Sequence, residues 1–337
     1  HLPEGRCTAG HLHPHAGRLR IKKWTLPKGC VLMETGAYEY TRYSSCCHTR
    51  KQDYYYQTYD VTDMLRAGEN GVQAMLGEGW WSGDITYGGE TRNYFGDQLA
   101  LLACIDVRYS DGTSTKIVTD PAMWEATTDN PVRYASLFQG QVTDARVNLD
   151  SAKWYPAEEM SLEGHTSDYT FGTTAPRTDI YDDWQLVEQP DPSPKVFTVL
   201  IAQQMTEVRP GVYVYDMGQN FAGIPSVTLQ GLDAGQQVRF RFAEVLYPEL
   251  AEYKGNEGMV MLENIRGAMA QDIYIASGAA EEVFEPHFTL HGYRYLEITG
   301  VDTPPTLEDV KGLVISSVQN FTAHYESSNQ LVNRLWD

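Results

Sequence analysis

The chain has 337 residues, room for about two average domains, and its 42% hydrophobic and 21% charged residues can bury real cores. No run approaches the ~18 apolar residues of a spanning helix. A net charge of −19, from 26 Lys+Arg against 45 Asp+Glu, argues against nucleic acid or an anionic membrane as the main partner. The 22 Tyr and 7 Trp beside 29 Gly and 16 Pro suit a β protein with an aromatic surface for a neutral ligand such as a sugar.

Residues 1–52 differ from the rest. They hold 9 Lys/Arg against only Glu4, Glu34 and Glu39, and they carry Cys7, Cys30, Cys46 and Cys47 among the 5 cysteines. His11, His13 and His15 alternate near Cys7, which on a strand could face a zinc ion, but no Cys-x-x-Cys spacing accompanies them. An odd cysteine count is not a secreted disulfide framework and favours a reducing, cytoplasmic compartment.

From Tyr54 the β signals become regular. Tyr54 to Tyr59 is aromatic and β-prone, and Leu99–Val107 is an apolar run of strand length. Asp111-Gly112 before Ile117-Val118 is a hairpin signature. Val238, Phe240 and Phe242 alternate with Arg239 and Arg241, and Tyr293–Ile298 reads as a second alternating strand. Long amphipathic segments are nearly absent, so the expectation is an all-β chain of two antiparallel, jelly-roll-like β-sandwich domains. Pro190, Pro192 and Pro194 mark the seam. The division read from the sequence is a first sandwich over 1–188, a Pro-rich linker over 189–210, a second sandwich over 211–320 and a helical start over 321–337. Thr303-Pro304-Pro305 is a further seam. After the cap cluster Ser327-Ser328-Asn329, Leu331/Leu335 and Val332/Trp336 fall at i,i+4 spacing, which predicts an amphipathic helix at the threshold of a further helical domain.

Several ordered motifs carry a family resemblance. Tyr59-Asp60-Val61-Thr62-Asp63, Leu76-Gly77-Glu78-Gly79-Trp80-Trp81, Tyr94-Phe95-Gly96-Asp97, Phe138-Gln139-Gly140-Gln141 and Asp144-Ala145-Arg146 resemble the first β-sandwich module of bacterial α-L-rhamnosidases. Asp216-Met217-Gly218-Gln219-Asn220-Phe221-Ala222-Gly223, Phe242-Ala243-Glu244, His291-Gly292-Tyr293-Arg294-Tyr295 and Asn329-Gln330-Leu331 resemble the segments that follow. The resemblance spans 54–337. It implies accessory modules ahead of an (α/α)6 barrel that carries the inverting acid and base, so no catalytic residue is assigned in this chain and the catalytic domain is missing or separate. The implied partner is a rhamnose-containing carbohydrate. Ser44–Arg50 departs from the family pattern near a neighbourhood through which related modules hold calcium; divergence and a frameshift both account for it.

Candidate sites follow. Trp80 and Trp81, with Asp84, Asn93, Tyr94 and Asp97, combine indoles for the C–H face of a sugar with polar groups for its hydroxyls. On a strand only one indole would face the ligand, and the alternative is that one tryptophan fills the sandwich core while the other packs on the barrel. Asp129 and Asn130 offer hard oxygens for calcium, or simply a turn before Pro131. Asp216, Gln219, Asn220, Glu244, His291 and Arg294 read as structural or interdomain residues. A stand-alone carbohydrate-binding module and a structural spacer are the competing functions.

Overall fold

The computed structural model describes residues 7–9, 16–21, 24–28, 53–65, 67–83, 99–160, 185–190, 192–318 and 320–336. Strands dominate, and the class expected from the alternating runs is the one found. In the first half, Tyr155–Pro156, Trp124–Thr127, Ala16–Ile21 and Gln73–Gly77 lie side by side as an antiparallel four-stranded sheet. The compositionally odd N-terminal stretch therefore supplies a central strand. It also supplies Cys7–Ala9, paired with Glu158–Met160, and Trp24–Lys28, paired with Ala67–Asn70. Pro27 sits where the latter register shifts, as expected of a residue that cannot donate to a ladder.

The Asp111-Gly112 signal marks a hairpin joining Cys104–Arg108 to Ser114–Val118. Gly112 has φ 85°, and Asp111 Oδ1 accepts from the Thr113 N–H at 2.9 Å and the Thr113 hydroxyl at 2.6 Å. Ile105, Val107 and Ile117 bury inward with Val72, Leu76, Trp124 and Ala126. Only the end of the Leu99–Val107 run is strand, beginning at Cys104, although Leu99 is itself buried. Asp53–Tyr56 pairs parallel with Gln185–Glu188, a departure from a purely antiparallel design.

The second half is built on one curled ten-stranded sheet, two of whose strands, Val132–Ser136 and Gly140–Asp144, come from the first half, and its main core lies on one face. Val238, Phe240 and Phe242 pack inward with Tyr215, Leu229, Phe284, Leu296 and Ile298, as the alternation of Gln237–Ala243 requires. Phe240 stacks on Phe284 at 4.6 Å between centroids. The 19-residue strand Val212–Gln230 is the spine: it pairs with Gln204–Arg209, His291–Thr299, Val310–Ser316 and Glu281–Phe284 along its length.

Two expectations change here. Lys195–Ile201 and Gln204–Arg209 are strands of this sheet and occupy most of the stretch read as linker; its prolines end at Pro194, and the β-branched and aromatic residues that follow pair normally. The alternation of Tyr293–Ile298 also breaks, since Tyr293, Leu296 and Ile298 all reach the same core. Residues 217–220 of the spine stand opposite a single residue, Arg294, because Asp216 faces Tyr295 and Phe221 faces Tyr293. This bulge changes the parity of the facing strand.

Pro305, in the second proline seam, accepts a 2.6 Å hydrogen bond through its carbonyl from the Tyr215 hydroxyl. The C-terminal helix Gln330–Trp336 starts where the caps predict. Asn329 Oδ1 accepts from the Leu331 N–H at 3.0 Å, and the Asn333 side chain closes back on Ser327. Two of its apolar residues are not covered: Leu331 is 74% and Leu335 85% exposed, while Trp336 meets the Tyr325 ring.

Candidate functional site

The bulge gathers five of the residues singled out from the sequence. Gly218 adopts φ 85°, and its N–H donates to Asp216 Oδ1 at 2.8 Å. Asp216 also accepts a two-pronged pair from Arg294 Nε and Nη2, both at 2.8 Å. The bonded Arg294 guanidinium holds the Asp216 carboxyl below its ordinary 3.8 despite the opposing effect of burial. Arg294 also lies over the Tyr295 ring, 5.1 Å from its centroid. Asn220 Nδ2 donates to Glu244 Oε1 at 3.2 Å, and Gln219 stands exposed between these pairs. The result is a polar rim on which each carboxylate is engaged by a nitrogen donor, a geometry suited to fixing loops or meeting a partner surface.

His291 leaves this group. It is buried, and its Nε2 lies 3.2 Å from both oxygens of the fully buried Asp272, so the ring donates there. The imidazole stacks on Phe242 at 3.8 Å with a 9° tilt. Asp272 Oδ1 accepts in addition from the Gln141 N–H at 2.8 Å. The Gln141 side-chain oxygen then accepts from the N–H groups of His287 and Phe288, both at 3.0 Å. Neither Asp272 nor Gln141 was nominated from the sequence. The available signal was an acid at the same parity as Tyr274 in Gln271–Ile275, facing the core where an apolar residue belongs. Burial, then the Asp272 charge, pushes the nearby Tyr293 phenol well up.

On the opposite face of the same sheet Arg241 is bonded to Glu297, whose carboxylate is buried. Glu282, on another strand, is also a buried carboxylate. Burial would push it up, but hydrogen bonds from Ser277, Tyr274 and Gly278 outweigh that and hold it below its ordinary 4.5.

Trp80 and Trp81 lie on a helical turn, Gly79–Ser82, rather than on a strand, so the strand argument that only one indole can face a ligand does not apply to them. Asp84, Asn93, Tyr94 and Asp97 lie outside the described residues, as do His11, His13 and His15. Asn130 is fully buried. Its Oδ1 accepts from the Val132 N–H at 3.4 Å in a turn, while Asp129 is exposed. Among the described residues no three His, Cys, Asp or Glu side chains converge as a metal cage. A shallow depression lined by Glu249, Leu250, Ala251, Lys254 and Glu257 sits apart from every residue nominated from the sequence. No helix among the described residues is long and apolar enough to cross a membrane.

Comparison with known proteins places these features. The α-L-rhamnosidase N-terminal domain matches residues 45–173, and the bacterial α-L-rhamnosidase concanavalin-like domain matches residues 206–316, the region of the spine, the bulge and the buried histidine. The chain carries two α-L-rhamnosidase domains. A third model, for linear amide C–N hydrolases of the choloylglycine hydrolase family, matches residues 20–67, across the compositional break. An α-L-rhamnosidase of Streptomyces avermitilis is 36% identical over 280 residues, which is 83% of this chain and 25% of that protein. One from Alteromonas sp. is 29% identical over 285 residues, 83% of this chain and 28% of that protein. Among solved structures, the Streptomyces avermitilis α-L-rhamnosidase complexed with L-rhamnose superposes with a TM-score of 0.72 at 30% identity, over 98% of this chain and 30% of that one. The Aspergillus terreus enzyme gives 0.71 at 27% identity, over 98% and 36%. The chain thus spans about a quarter of the length of the curated α-L-rhamnosidases it matches.

Proposed function

We propose that this chain is the non-catalytic accessory part of an α-L-rhamnosidase, an enzyme that removes terminal α-L-rhamnose. Its two β modules support a separate helical catalytic domain and keep rhamnose-bearing glycans near it. The observation that carries this reading is an uncovered apolar face. Val196, Phe197, Val199 and Ile201 are exposed along an edge strand, Phe321 meets Phe197 edge-on at 5.7 Å, and Leu331 and Leu335 stand exposed on the helix. Large apolar side chains left exposed in this way are the kind that protein–protein contacts cover. The polar rim of Asp216, Asn220, Glu244 and Arg294 supplies directional groups of the kind that ring such contacts.

The test is a pair of assays on the purified chain. Release of rhamnose from an aryl α-L-rhamnoside is expected to be nil, and measurable turnover would overturn the reading. Titration with L-rhamnose, with and without calcium, is followed by tryptophan fluorescence and heat. Saturation sensitive to Trp80→Ala or Trp81→Ala supports glycan holding, whereas a flat response at millimolar sugar reduces the role to scaffold.

A further inference from the structure

The hairpin formed by Val132–Ser136 and Gly140–Asp144 belongs to two bodies at once. It lies within residues 45–173, matched by the N-terminal domain, yet its second strand pairs parallel with Gln271–Ile275 of the other module: Val142 faces Ile273, Thr143 faces Tyr274 and Asp144 faces Ile275. We infer that this hairpin is a conformational lock, which holds the tryptophan-bearing turn of the first module in one fixed orientation to the second and makes the two modules unfold as one.

Three independent features build the lock. The first is backbone approach: Gly140 has φ 109°, and a Cβ there would stand 1.9 Å from the Gln271 carbonyl oxygen, so only glycine lets the strands meet. The second is the buried polar relay. Asp272 accepts from the Gln141 N–H and the His291 ring, while Gln141 Oε1 holds the N–H groups of His287 and Phe288. Gln141 makes the bonds that cross the junction, His291 backs Asp272 from within the second module, and a satisfied buried network specifies one arrangement over looser ones. The third is apolar: Phe288 packs with Met75, Val132 and Ala135, and its ring lies where a side chain at Gly77 would be. Gly77 is two residues before Gly79–Ser82, the turn that carries Trp80 and Trp81.

Calorimetry and amide exchange on the full chain test this. The unaltered chain is expected to melt in one transition. Gly140→Ala and, more gently, Gln141→Leu are expected to split it into two. They should also raise exchange at 273–275 by about tenfold or more, while the distant hairpin Cys104–Arg108/Ser114–Val118 keeps its protection. Asp111→Ala, in that distant turn, should lower the melting temperature without splitting the transition. The inference is overturned if the unaltered chain already melts in two steps, or if Gln141→Leu leaves both the single transition and the exchange at 273–275 unchanged. Should Gly140→Ala fail to fold, Gln141→Leu and the unaltered chain decide the matter alone.

Discussion

Asp216 and Asp272 show how one residue type performs opposite tasks. Asp216 sits at a partly open rim with Arg294, and its depressed carboxyl ties stability to pH. A carboxyl lowered on folding contributes fully above its unfolded value near 3.8 and loses that contribution as pH falls through the folded value. Asp216→Asn should therefore cost about 1 kcal/mol at pH 6, discounted for exposure, and the gap to the unaltered protein should be narrower at about pH 3, on the acid side of the unfolded value. Urea midpoints measured at both pH values check this; a gap that widens in acid would contradict the pairing. Asp272 is buried with His291, where removing one partner leaves the other stranded. His291→Gln should cost about 3 kcal/mol, and Asp272→Asn with His291→Gln together less than the sum of the two singly. The sequence showed His291 but not its partner. Which acid meets which histidine depends on strand register across the sheet, and no local spacing between 272 and 291 encodes it.

The elements themselves were the most legible level. Asp111-Gly112, the arginine-separated Val238, Phe240 and Phe242, and the Asn329 cap each encode their structure within a few residues, and each forms as read. Phe240→Ala should accordingly cost about 3–5 kcal/mol, readable as a large drop in denaturant midpoint. Leu335→Ser should change stability by less than about 0.5 kcal/mol, because its side chain packs on nothing within the described sheets, yet should reduce self-association in sedimentation runs. A large loss of stability from Leu335→Ser would mean that the helix docks on its own module. What misled at this level was proline: Pro190, Pro192 and Pro194 suggested a linker extending well beyond the residues that are extended, and Lys195–Ile201 begins immediately after them. The tryptophan turn was missed for a related reason, since paired aromatics favour strands in general, whereas Gly79 and Gly83 bracket a helical turn here.

At the scale of the whole molecule, two β bodies could be read from composition and seams, but their interlocking could not. Parallel pairing of Val142–Asp144 with Ile273–Ile275 joins residues more than a hundred positions apart, and such contacts leave no periodic trace in the chain. The spine holds a different kind of information. Tyr213 and Tyr215 before its bulge, Met217 at its start, and Phe221, Val227 and Leu229 after it all face the core at odd-numbered positions. In genetic terms, the bulge is a counter that tolerates change only in pairs. Deleting one codon among Gly218, Gln219 and Asn220 would turn every downstream side chain of the spine inside out, whereas deleting two would leave the core facing inward and sacrifice only the rim.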